Sequence, residues 1–141
     1  RHDVVYREEV NAAPPLDPIT DSVAAQRWQV DANSVMLFRY SALTFNGHRI
    51  HYDLPYSTHV EGHGGLLVHG PLQATLMLNL ACSIGGKLPK HMAYRGVRPL
   101  VCGDPIMVDA SPENDDAGKA MLATCVRGGD GNITMKATVT P

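Results

Sequence analysis

The sequence predicts an α+β domain in which an antiparallel sheet packs on one buried helix. Three observations carry this. From Pro71 to Gly86 the chain has no Asp, Glu, Lys or Arg, and a helix apolar nearly all round must be buried. At the C-terminal end Ile133, Met135, Ala137 and Val139 alternate with Thr134, Lys136, Thr138 and Thr140, the period of a half-buried strand. Just before it, the glycines and asparagine of Gly128–Asn132 form a hairpin signal that ties this strand to its predecessor.

The elements follow in order. Val4, Val5 and Tyr6 read as a short strand, and Pro14, Pro15 and Pro18 then break regular structure, because each removes a donor and fixes φ. Asp21 or Ser22 reads as the cap of a short helix through Gln29, with Trp28 as its apolar anchor. Val35 to Tyr40 reads as a strand, with Met36, Phe38 and Tyr40 on one face. Asp53, followed by Leu54 and Pro55, is an N-cap for a short helix through about Val60, which the glycine-rich Glu61–Gly65 ends. The central helix runs from Pro71 to about Gly85 and stops at Gly85 and Gly86. Along it Thr75, Asn79 and Ser83 recur every four residues, a stripe of small side chains against which a sheet can wrap closely. Strands are then expected at Ala93–Arg98, Pro105–Ala110, Lys119–Arg127 and Ile133–Thr140.

A chain of 141 residues has room for one core and too little for two ordinary domains. Its formal charge of -2 argues against a nucleic-acid or anionic-membrane surface. It has no apolar run of roughly 18 residues and no signal-peptide pattern, so a soluble location, bacterial cytoplasm or mitochondrion, is the expectation. Cys82, Cys102 and Cys125 are widely spaced within apolar patterns and read as reduced core residues. The opening Arg1 and the strand-like residues after it raise the expectation of a missing N-terminal part.

The chemistry concentrates between Tyr40 and Leu72, where Asn46, His48 and His51 precede a glycine-rich approach to the central helix. Pro71 suits the first turn of that helix, and Gly70 lets another group approach its unpaired N–H groups, whose partial positive charge favours a developing oxyanion. A lone histidine in apolar surroundings is ordinarily a hydrogen-bonded structural residue, so His51 needs its motif context to read as a base. Seven histidines also invite a metal reading, with His59 and His63 four apart and His69 nearby. Gly62 and Gly64 argue against a helix through His63, and neither cysteine nor carboxylate joins at ligand spacing, so no metal is expected. Lys87, Lys90, Arg95 and Arg98 are the cations available for a phosphate.

This stretch resembles the hydratase motif of the MaoC-like, (R)-specific enoyl-CoA hydratases, most closely the branch of mesaconyl-CoA hydratase and the Htd2-like 3-hydroxyacyl dehydratases. In the wider family the motif reads Gly-Asp-x-Asn-Pro-Leu-His. Its histidine falls on His51 and its aspartate on Asn46, while His48 and Arg49 take the places of its asparagine and proline. Val68–Pro71 matches the segment that begins the central helix, and the likeness runs from about Val35 to Val139. The resemblance implies a hotdog fold, half of a double hotdog: residues 1–20 would be a linker and the last strand of a missing first half, residues 21–141 the MaoC-like domain.

It also implies a hydro-lyase that reversibly hydrates an enoyl-CoA thioester, mesaconyl-CoA or another short branched acyl group. The chemistry needs a base for water and a donor for the thioester oxygen, roles that fall to His51 and the Gly70 N–H. Asn46 can orient the water but cannot take its proton. His51 then acts alone, or His48 shares the work, or this half is inactive. Tyr40, His48, Gly65, Val68, His69 and Arg98 would contact the substrate, with Arg98 preferred for the coenzyme A phosphates. No cofactor is implied beyond the coenzyme A thioester substrate itself, carried on coenzyme A or acyl carrier protein. The implied partner is a second hotdog half or a second copy. A hotdog thioesterase and a non-catalytic acyl-binding half are the alternatives, the first disfavoured because Pro71–Leu88 holds no carboxylate.

Overall fold

A computed structural model describes residues 24–140. The readings of Val4–Tyr6, of the proline-rich linker and of a cap at Asp21 or Ser22 lie outside those residues. Five antiparallel strands make one sheet: β1 (Gln26–Val30), β2 (His91–Gly96), β3 (Ile106–Asn114), β4 (Ala120–Arg127) and β5 (Ile133–Thr140), in the order β1-β3-β4-β5-β2. Helix α1 (Ser34–Thr44), a single 3-10 turn (Arg49–His51), helix α2 (Leu54–His59) and the central helix α3 (Gly70–Gly85) separate β1 from β2. The sheet packs on α3 through β3, β4 and β5, which is the hotdog arrangement.

Helix α3 presents Leu72, Gln73, Ala74, Met77, Leu80 and Ala81 to the core. Met77 and Leu80 are fully buried, each contributing roughly 1.5–3 kcal/mol by apolar burial. Gly86, in the left-handed region at φ 66°, closes the helix by donating its N–H to the Cys82 carbonyl. The Thr75, Asn79 and Ser83 stripe faces away from the sheet and is exposed. Close wrapping therefore uses the opposite face, and the helix is not buried all round.

Two elements differ from the sequence reading. Residues 35–40 belong to α1, not to a strand. Asn33 caps this helix by accepting from the Met36 N–H at 3.0 Å, and the buried Leu37 and Ser41 are four apart, a helical spacing that a six-residue window hides. The helix ends at Phe45, left-handed at φ 53°, where Asn46 donates its N–H back to Ser41 O at 2.9 Å. Conversely, the expected helix through Gln29 is replaced by β1, whose register runs from Gln26 opposite Ala110 to Val30 opposite Ile106. Trp28 still packs against the core, beside Val30, in the period of a strand.

The other elements stand where their signals put them, with bounds shifted by a few residues. Strand β3 continues past the expected Ala110 through Pro112, where β1 has ended and, among the described residues, that flank of β3 has no paired strand. The hairpin turn at Gly128–Asn132 is closed by Gly128 N–H donating to Asn132 O at 3.0 Å. Gly131, at φ 77°, takes the backbone conformation that disfavours a side chain.

On the outer face of the sheet, Arg27, Asp109, Cys125, Lys136 and Arg95 stand opposite one another on successive strands. Asp109 is buried between Arg27, 2.6 Å from its Oδ1, and Arg127, 3.1 Å from its Oδ2. Asp109, Cys125, Lys136 and Arg95 of this row line a concavity of about 530 Å³ that holds none of the motif histidines. The three cysteines are free thiols and only half-buried. Cys102 packs on the core, whereas Cys125 lies on this outer face, so the expectation of three core cysteines is corrected.

Candidate active site

The motif histidines converge where the 3-10 turn meets the approach to α3. Asn46 opens the turn: its side-chain oxygen accepts from the His48 N–H at 3.0 Å, a local bond of the kind that makes asparagine a turn former. Arg49 then pairs with Asp53 at 2.7 Å and lies over the Tyr56 ring, 4.1 Å from its centre, fixing the turn to α2. Asp53 caps α2 by accepting from the Tyr56 N–H at 3.0 Å. Next, Leu67 donates its N–H to Ile50 O at 2.9 Å, and the Val68 N–H donates to Leu100 O at 2.8 Å. The turn, the approach and the segment before β3 are thereby laced together.

Two glycines of the approach have a structural reason: Gly62 is left-handed at φ 72°, and Gly65 is held by close packing. Ser57 donates its hydroxyl to Gly65 O at 2.7 Å, and a Cβ on Gly65 would stand 2.9 Å from the Val101 side chain. At Gly70 a Cβ would meet only the end of Met135 at 3.6 Å, ordinary contact. The protein's own packing does not demand glycine there. Gly70 opens α3, so its N–H has no acceptor within the helix.

His51 is buried, and its Nδ1 lies 2.7 Å from Leu67 O. A carbonyl only accepts, so Nδ1 carries the hydrogen and Nε2 keeps the lone pair. Burial pushes its pKa below the ordinary imidazole value. The Leu67 bond opposes that shift, and the neighbouring His48 adds to it. His69, the last residue before α3, is 0% exposed, and its ring stacks on that of His51 with centres 3.6 Å apart and planes 18° apart. Burial, and then His51, lower its pKa to about 4. Tyr40 meets the His69 ring edge-on at 4.9 Å and His48 meets the His51 ring edge-on at 5.8 Å.

The structure thus brings together Tyr40, Asn46, His48, His51, Val68, His69 and Gly70, with Gly65 supporting the approach. Asn46 bonds to the turn itself, and His48 is exposed beside the buried pair. Arg98 stands apart from the stack. Its N–H donates to Thr134 O at 3.2 Å, its Nε is buried with no protein partner among the described residues, and its charge helps hold the Asp130 carboxyl below the usual range. Arg95 lies on the outer face, Lys90 donates its N–H to Thr140 O, and Lys87 follows the end of α3. His59 ends α2 and His63 follows it in the loop. Among the described residues no three His, Cys, Asp or Glu side chains are grouped to hold a metal ion, and no helix is long and apolar enough to cross a membrane.

Sequence reasoning missed Ser41, whose Oγ lies 2.8 Å from His69 Nε2. Its signal was the four-residue spacing from Leu37, which the strand reading concealed.

Comparison with known proteins gives a consistent picture. Residues 1–102 match the family model of hydroxyacyl-thioester dehydratase type 2. The mesaconyl-C(4)-CoA hydratase of Chloroflexus aurantiacus is 39% identical over 97% of this chain and 48% of its own length. The chain spans about half or less of the length of the curated relatives it matches. Among solved structures, the (R)-hydratase PhaJ1 of Pseudomonas aeruginosa superposes with a TM-score of 0.70 at 18% identity, covering 81% of this chain and 76% of that one. The ChsH1–ChsH2 complex of Mycobacterium tuberculosis gives 0.70 at 15% identity, covering 85% and 96%. These two likenesses concern the fold.

Proposed function

Since the chain belongs to the hydroxyacyl-thioester dehydratase type 2 family, we propose that it reversibly hydrates an enoyl-CoA thioester with a short branched or dicarboxylic acyl group such as mesaconyl-CoA. The observation that carries this is the tautomer of His51: with Nδ1 committed to Leu67 O, its Nε2 keeps the lone pair, and its ring stacks on His69, the residue just before the unpaired N–H that opens α3. In the hydration direction Nε2 takes a proton from water, whose oxygen bonds to the β-carbon. The electrons of the double bond move toward the thioester oxygen, which the Gly70 N–H receives. The imidazolium then returns its proton to the α-carbon, so one water is added and His51 is regenerated. Asn46 shapes the turn that delivers His51, and His48, Tyr40 and Val68 border the same space. Arg98 is the cation proposed for the coenzyme A phosphates, its buried Nε being without a protein partner among the described residues.

Crotonyl-CoA is the probe for this reading. Its enoyl absorbance should fall in the presence of protein, with the 3-hydroxyacyl product formed and no free thiol released. Thiol release without hydration would instead identify a thioesterase. Because the base must be neutral and burial lowers its pKa, the acid limb of kcat/KM should lie below pH 6.5, the ordinary imidazole value. A limb at or above that value would remove His51 as the base.

We further propose that the active unit is a pair of hotdogs, the second being another hotdog half or a second copy. Supporting this, Val35, Phe38 and Phe45 of α1 and its C-cap are exposed at 63%, 62% and 94%, with the exposed Ala42 between them at helical spacing. Such an apolar face is unusual on a solitary domain. Light scattering on active protein should report a paired species, and full activity in a strictly monomeric fraction of this chain would exclude the proposal.

A further inference from the structure

Resting on the hydratase reading, we infer that Ser41 is a positioning residue that acts through His69 to hold the general base. Ser41 is buried on α1, and its hydroxyl meets His69 Nε2 at 2.8 Å across 28 residues of sequence. The hydroxyl of Thr44, on the same helix, is spent on a carbonyl of the preceding turn, Tyr40 O at 2.7 Å. Ser41 shows no such bond, so its proton is available to the imidazole. With Ser41 donating to Nε2, the hydrogen of His69 sits on Nδ1, which is buried without a protein partner among the described residues.

The consequence reaches His51 through the stack. A ring can turn about its bond to Cβ unless a hydrogen bond fixes it. Ser41 at Nε2 and the edge of Tyr40 confine the His69 ring from two sides, and the face it then offers lies against His51 at 3.6 Å. A neutral ring in that place supports His51 in both of its states. It packs on the neutral imidazole and places no like charge against the imidazolium that forms during turnover. An aromatic hydrocarbon would stack but could not be pinned by a hydroxyl, and a protonated histidine would oppose the chemistry.

The first test needs no substrate. Long-range proton–nitrogen NMR should show both His51 and His69 as Nδ1–H tautomers, with His69 losing that preference in Ser41→Ala while His51 keeps it. A His69 spectrum unchanged by Ser41→Ala overturns the inference. In crotonyl-CoA hydration, Ser41→Ala should lower kcat about tenfold with KM changed less than about twofold, the pattern of lost transition-state positioning. Ser41→Thr, which restores the hydroxyl, should recover most of the rate. A double-mutant cycle with His69→Phe then asks whether Ser41 works through His69. The losses should not multiply, because once the imidazole is gone the hydroxyl has nothing to hold. Full multiplication, or a lowered melting temperature with unchanged kcat, overturns it. If wild type hydrates nothing while the tautomers respond as stated, it is the hydratase reading that fails.

Discussion

Replacing His51 with alanine is expected to lower hydratase turnover by about two to four orders of magnitude, the usual worth of a general acid and base. The effect should fall on kcat, because the imidazole acts on water and on the α-carbon and does little to hold the rest of the substrate. Among the described residues His51 has one side-chain hydrogen bond, to Leu67 O, so the fold should survive, which circular dichroism can check. Asn46 supplies the contrast. Asn46→Asp keeps the acceptor for the His48 N–H and should remain active, whereas Asn46→Leu removes it and should loosen the turn that delivers His51. Near-normal rates in His51→Ala would place the base elsewhere, with His48, edge-on at 5.8 Å, the next to replace.

The second large effect is on stability. Asp109 sits between two guanidinium groups, and Arg127 is nearly as buried as the carboxylate, with only 10% of its side chain exposed. Asp109→Ala leaves that charge without a counter-ion in a desolvated place, which costs about 3 kcal/mol or more. For a domain of this size the melting temperature should fall by roughly 10 °C. Burial alone would raise the Asp109 pKa, but the hydrogen bonds and charges of Arg27 and Arg127 outweigh it and hold the carboxyl below the usual range. Because the folded pKa is depressed, this contribution is present above the ordinary 3.8 and is lost as pH falls through the lower, folded value. Replacing Asp109 and Arg127 together with leucine should recover much of the loss, since no buried charge remains unpaired. An Asp109→Ala protein that melts like wild type would show that Arg127 reaches solvent.

These two predictions mark what could be read from sequence and what could not. His51 was legible because its chemistry is local: the motif, the short helix capped by Asp53 and the charge-free run after Gly70 each state their structure within a few residues. The same holds in part for the hairpin at Gly128–Asn132: Gly131 answers to backbone geometry, at φ 77°, whereas at Gly129 a Cβ would stand 2.5 Å from the Asp104 side chain, a contact the local sequence does not announce. Helix α1 was missed because Met36, Phe38 and Tyr40 alternate over a window too short to separate periods of 2 and 3.6, while the deciding signals, Asn33 before it and Ser41 after it, lay outside the window. Strand β1 was missed because its strandedness is supplied by β3, and nothing near Gln26–Val30 announces that partner. Ser41 and Asp109 were invisible for a related reason. Each takes its meaning from residues 28 and 82 positions away, and propensity has no memory at that distance.

Pro112 has a consequence for association. Sheets left open at an edge invite strands from other molecules, and proteins blunt such edges with proline, charge or short strands. Here the stretch of β3 beyond β1, unpaired on that flank among the described residues, carries Pro112 and Glu113, so a strand laid there would meet a residue with no N–H to offer. At the opposite border β2 pairs only with β5 among the described residues and contains no proline. Among the described residues β1 and β2 are both border strands with one neighbour each, so the proline protects the corner of β3 that runs past β1 and leaves lateral addition at either border to be limited by other means.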